Sequence, residues 1–179
     1  STSNHSPEAS WTFLAVGVDA FKSFNDSQGH QAGDELLSLV AKILLEMAPD
    51  NALVTRFGGD EFLIAFEDNG SPDSSNELAE SMVTAFHQEF QMQTGPVQTS
   101  VSVGLAGYPW DDDTLQGVAE RALESMHEAK RLGRNRVCVA SLEQKAKLQH
   151  HYQLGVDLRD AIARNEFHIA YRPTAKRRE

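Results

Sequence analysis

The chain has 179 residues, which suits one principal domain, usually of roughly 100 to 200 residues, with an appendage. Hydrophobic residues at 40% and charged residues at 23% exclude a disordered tail, a collagen-like fibre and a disulfide scaffold. The net charge of −10, from 16 basic and 26 acidic residues, argues against an extended phosphate-backbone footprint, so no nucleic-acid partner is expected.

Residues 1–10, rich in Ser, Asn, Pro and His, read as a flexible leader with no apolar signal core. Phe13 to Val18 is a short apolar run that suits a buried strand, with Asp19 at its end. A helix from about Ala20 breaks near Gly29, and a second runs from about Gln31 to Pro49 on the spacing of Leu36, Val40, Ile43, Leu44 and Met47. Leu53 to Phe57 and Phe62 to Phe66 flank Gly58-Gly59-Asp60-Glu61, the signature of a tight hairpin. The pattern then predicts a third helix over 75–91, a half-buried alternating strand over 97–105 and a fourth helix over 114–132. A buried strand follows around Cys138. These elements make an α/β (α+β) sandwich, with a central mostly antiparallel sheet, an embedded hairpin and flanking helices. Residues 142–164 read as a linker helix, and Phe167 to Tyr171 as the first strand of something cut off.

No run approaches the roughly 18 apolar residues of a membrane span, so membrane contact is expected only through regions outside this chain. Cys138 is the only cysteine, which points to a reducing, cytoplasmic compartment. Charge is unevenly spread. Residues 1–141 hold 8 basic and 21 acidic residues, and four of the eight, Lys130, Arg131, Arg134 and Arg136, fall within seven positions. Such a cluster either complements the C-terminal end of a helix or receives an anion.

The hairpin tip carries two adjacent carboxylates, Asp60 and Glu61, and the strand ending at Asp19 would lie beside it. Carboxylates from neighbouring strand ends hold Mg²⁺ against a nucleoside triphosphate. The helix after Asp19 offers the amides of Ala20, Phe21 and Lys22 to phosphate. Asn25 and Asp34 suit the donor and acceptor edge of a purine, or equally a cap or turn.

Five ordered motifs resemble the GGDEF family of diguanylate cyclases over about residues 12–141. They are Val18-Asp19-Ala20-Phe21-Lys22-Ser23-Phe24-Asn25-Asp26, Gly29-His30-Gln31-Ala32-Gly33-Asp34, Arg56-Phe57-Gly58-Gly59-Asp60-Glu61-Phe62, Ser102-Val103-Gly104 and Ala129-Lys130-Arg131-Leu132-Gly133-Arg134-Asn135. The resemblance extends to the nucleotidyl cyclase and polymerase palm folds. It implies condensation of two GTP into cyclic di-GMP by two facing domains, hence a homodimer through the active-site face. It implies that Asn25 and Asp34 read guanine, that Gly59 and the amides of Ala20 to Lys22 contact the nucleotide, and that Lys130 and Arg134 meet the outer phosphates. Asp60 and the Val18 carbonyl would bind Mg²⁺, and Glu61 would assist catalysis or the second metal. Residues 165–179 resemble the opening of an EAL-type phosphodiesterase domain.

Departures accompany the match. The family's acid two positions before Asp19 is Gly17 here, so Mg²⁺ would be held weakly. Leu123 and His127 stand where the family has Asp and Tyr, Pro49 and Ala52 replace the product-binding Arg and Asp, and the usual N-terminal helix is not expected within these residues, through truncation or divergence. Three readings follow: a GTP-binding regulatory domain with impaired cyclase chemistry, a working cyclase, or a structural dimerisation module. GTP binding separates the first two from the third, and turnover separates the second from the first. The departures favour the first, and the intact Gly58 to Phe62 signature is the best support for the second.

Overall fold

The computed structural model describes residues 10–68 and 72–140; the expected leader, linker helix and phosphodiesterase opening otherwise lie outside the described residues. The first strand, β1 (Ser10–Val18), is organised by simple alternation: Leu14, Val16 and Val18 face one side, and Phe13, Ala15 and Gly17 the other. Both sides are covered, so every residue from Thr12 to Val18 is buried.

The remaining elements, in chain order, are α1 (Phe21–Gln28), α2 (His30–Met47), β2 (Leu53–Gly58), β3 (Glu61–Asp68), α3 (Pro72–Ala85), β4 (Glu89–Met92), β5 (Gly95–Gln98), β6 (Val101–Tyr108), α4 (Leu115–Arg131) and β7 (Val137–Val139). The main sheet has the order β2-β3-β1-β6-β7, antiparallel except for the β6–β7 pair. On one face, Leu36, Val40 and Leu44 of α2, Met82 and Val83 of α3 and Phe86 just after it pack against Leu14, Val16, Ile64 and Val103. Fully burying such side chains stabilises the fold by about 1.5–3 kcal/mol each. On the other face, Val118, Ala122 and Met126 of α4 lie on Phe13, Ala15, Ala65 and Ala106. Small residues floor this second face, and the helix comes very close. A β-carbon at Gly104 would run into the Ala122 carbonyl and the Met126 amide nitrogen. Glycine there sets how near α4 sits to the sheet.

Three expectations need correction. The third helix ends at Ala85, not near Gln91, and residues 89–98 fold back as a separate two-stranded ribbon, β4–β5. Phe86 and Phe90 still meet, ring centroids 5.8 Å apart, but across a turn rather than along a helix. The strand expected over 97–105 is two strands broken at Thr99-Ser100, and β6 is buried on both faces because α3 packs on one side and α4 on the other. The strand at Cys138 is a half-buried edge, not a core strand. Partial burial still pushes the Cys138 thiol up, against the smaller opposing pull of the Arg136 charge.

Helix α4 starts on a cap: Thr114 accepts the Gly117 amide in its hydroxyl at 3.0 Å. It stops where Gly133 adopts φ +120° and the Arg134 amide reaches back to the Ala129 carbonyl at 2.9 Å. Lys130 and Arg131 occupy its last turn, opposite the partial negative charge of the helix end.

Candidate functional site

The register of β1 on β3 sets Gly17 opposite Glu61, and the Val18 amide donates to the Asp60 carbonyl at 3.0 Å. The end of β1 and the β2–β3 turn are therefore adjacent, as expected from the sequence. Arg56 braces the turn, its Nε and Nη2 donating to the Gly59 carbonyl at 2.9 and 2.6 Å. Both turn acids are met by α4, which packs on the face of the sheet that Gly17 belongs to. Asp60 Oδ2 accepts from Lys130 Nζ at 2.8 Å, and Glu61 Oε1 lies 2.8 Å from His127 Nε2.

Asp19 has a different occupation. It is 8% exposed, and its carboxylate accepts the Ser100 and Ser102 hydroxyls at 2.7 Å each and the Asn135 amide at 3.0 Å. One carboxylate thus ties β1 to β6 and to the chain that leaves α4. Sequence reading assigned Ser100, Ser102 and Asn135 no role; the usable signal was the i, i+2 spacing of two serines, which puts both hydroxyls on one side of a strand. Asp19→Ala leaves three donors without their acceptor. It is expected to cost about 2–4 kcal/mol in urea denaturation, since buried groups lose their charge-assisted partner.

Beside Asp19 lies a groove of about 600 Å³ whose wall includes Ala20, Ser23, Ser27, Gln98, Arg134 and Asn135. Ala20 is left-handed at φ 54° and caps α1 without any side-chain hydrogen bond, so the first amides of α1 keep no intrahelical or capping partner. Across the groove, Arg134 and Asn135 are also left-handed, at φ 64° and 49°. Next to it, His87 Nε2 lies 2.9 Å from Asn135 Oδ1.

The expected base readers sit where α1 meets α2. Asn25 lies directly over Gly33, so that a β-carbon at 33 would strike its amide oxygen, and that oxygen is buried with no hydrogen-bond partner. Asp34 follows and is exposed, lining a second groove of about 340 Å³ against β2. The structure therefore brings Ala20 and Arg134 to one groove and Asp60, Glu61 and Lys130 to one cluster. Asn25 and Asp34 lie together at the α1–α2 junction, while Phe21 is half-buried and Lys22 exposed. Around Pro49 and Ala52 the chain makes a turn, the Ala52 amide donating to the Pro49 carbonyl at 2.9 Å.

A family profile described as diguanylate cyclase, GGDEF domain, matches residues 1–136. The chain belongs to the GGDEF family. It is 35% identical over 160 residues to the bifunctional diguanylate cyclase/cyclic di-GMP phosphodiesterase MucR of Pseudomonas aeruginosa, covering 89% of this chain and 23% of that protein. It is 30% identical over 170 residues to the cyclic di-GMP phosphodiesterase PdeR of Escherichia coli, covering 95% of this chain and 26% of that protein. The chain thus spans about a quarter of the length of these relatives. Among solved structures, the isolated GGDEF domain of TpbB (YfiN) from Pseudomonas aeruginosa superposes with a TM-score of 0.75 at 30% identity, covering 79% of this chain and 83% of that one. The likeness places the sheet and helices in the palm-like fold of this family.

Diguanylate cyclases of this family generally use Mg²⁺, but the side chains here do not fit it as a tightly held resident ion. Among the described residues no three His, Cys, Asp or Glu side chains converge. Gly17 contributes no oxygen, and the place where its side chain would begin is already filled, 2.5 Å from Met126 Sδ and 2.7 Å from Lys130 Nζ.

Proposed function

We propose that residues 11–141 are a GTP-binding regulatory GGDEF domain of a cyclic-di-GMP signalling protein whose own cyclase chemistry is impaired. The observation that carries this is the state of the turn: Asp60 and Glu61 are each engaged by a side chain of α4, while the groove beside Ala20 and Arg134 stands open. Guanine is read by Asn25 and Asp34, phosphates are received by the amides of Ala20, Phe21 and Lys22 and by Lys130 and Arg134, and Gly59 borders the nucleotide. Glu61 assists the catalysis that remains, with His127 beside it. Mg²⁺ is held weakly, through Asp60 and the Val18 carbonyl.

The sequence of residues 165–179, together with the names of MucR and PdeR, supports a phosphodiesterase domain following a linker helix at 142–164. That linked domain is the partner this one would regulate, and two GGDEF domains would face each other through their active-site sides. No helix among the described residues is long and apolar enough to cross a membrane, and we place the domain in the cytoplasm, with any anchor elsewhere in the protein. Calorimetric titration with GTP, followed by product analysis of the same sample, tests the reading. Binding without cyclic di-GMP supports it; no binding at millimolar GTP leaves a structural module, and brisk synthesis leaves a working cyclase.

A further inference from the structure

We infer that Lys130 is a built-in cation of this site, competing with divalent metal for Asp60 and freeing nucleotide binding from dependence on that metal. The inference deepens the reading of this site as a GTP site and rests on it for the identity of the ligand. Three observations meet at one ammonium group. Lys130 Nζ is 2.8 Å from Asp60 Oδ2, in a pair whose side chains are only 21% and 29% exposed. The same Nζ lies over the bare Cα of Gly17, and Cε lies with it, so the lysine stem occupies the volume a metal-binding acid at 17 would need. Asp19, the buried acid at the end of β1, is spent on Ser100, Ser102 and Asn135 and is not free to rebuild the missing ligand.

The electrostatic consequence follows from screening. A half-sheltered pair attracts more strongly than a surface pair, because less water stands between the charges. A divalent cation can take Asp60 only by displacing this ammonium, and it then finds one carboxylate where hard cations gather several oxygens. The ammonium has three N–H donors and needs one for Asp60. The others remain for a phosphate oxygen, so Lys130 can serve the nucleotide while it stays on Asp60. The site thereby keeps a positive charge for the phosphates that does not depend on a bound metal.

The test begins without nucleotide. Mn²⁺ is titrated into the unmodified chain, Lys130→Met and Lys130→Met/Asp60→Asn, with the free aquo-ion followed by electron paramagnetic resonance. The unmodified chain should show no Asp60-dependent site below about 1 mM, Lys130→Met should gain one at least about tenfold tighter, and the double variant should lose it again. Lys130→Gln repeats the measurement should the methionine variant fold poorly by circular dichroism. Equal Mn²⁺ binding by the unmodified chain and the 130 variants overturns the inference. A second arm measures a fluorescent GTP analogue in excess Mg²⁺ and in EDTA. Affinities within about twofold support metal-independent binding, and a loss of about tenfold or more in EDTA overturns it. Absence of nucleotide binding in both buffers sinks the GTP reading alone, and the Mn²⁺ titration still decides the role of Lys130.

Discussion

Incubated with GTP and Mg²⁺, the chain is expected to form cyclic di-GMP about 10²- to 10³-fold more slowly than a family member that keeps the acid two residues before Asp19, the usual loss when one electrostatic group is removed from a reacting centre. The site gives the reason in atoms. Charge that develops on the transferred phosphoryl group must be matched by positive charge held in place, and the turn has already committed its Asp60 to Lys130. Glu61 is likewise committed, to His127. Gly17→Asp is expected to raise turnover, but to recover only part of the deficit. Its β-carbon must displace Met126 Sδ and the Lys130 stem, and its carboxylate then meets an ammonium before it meets a metal. Combining Gly17→Asp with Met126→Ala relieves the first obstacle and should recover more. Chromatographic separation of product nucleotides decides this; synthesis by the unmodified chain at the rate of an acid-bearing relative would contradict the argument.

The second large effect concerns base identity. Asp34→Ala should weaken GTP by about 10- to 100-fold, the loss of charge-assisted hydrogen bonds each worth about 1.5–3 kcal/mol, and leave ATP unchanged. An exposed carboxylate accepts the N1 and N2 protons of guanine, and adenine has neither donor. Lys130→Ala should weaken both nucleotides alike, because phosphate carries no base information. Competition of ATP and GTP against one fluorescent nucleotide separates the two outcomes, and an Asp34→Ala chain with undiminished preference for GTP would remove Asp34 from the base site.

Much of the fold could be read from the chain because the relevant signals are local. Phe13 to Val18, the Gly58-Gly59 turn and the apolar face of α2 each declare themselves within a few residues. The β4–β5 ribbon did not, because Phe86 and Phe90 stand four apart and mimic one helical face; the turn between β4 and β5 is held from a distance, with the Gln93 amide donating to the Glu35 carboxylate at 2.7 Å. The strand break at Ser100 was hidden for a similar reason. There Ser100 bonds to Asp19, 81 residues earlier. At the site, Asp60, Glu61 and the missing acid at 17 were visible as motif residues. What surrounds them was not, since the lysine over Gly17 arrives on α4, more than a hundred residues later in the chain, on the face of the sheet where Gly104 lets that helix come close.

The closure of Met126 and Lys130 over Gly17 bears on reversibility. Had position 17 simply lost its acid and left a hole, one substitution would suffice to go back. Instead the neighbours have settled into the space, so an acid at 17 works against residue 126 and against the lysine until they change with it. Residues in direct contact do not contribute independently. The path from this sequence to one with a full set of metal acids therefore runs through at least one further position, and its first step alone brings only part of the benefit. Glycine at 17 behaves as a latch, held shut by the helix that lies on it.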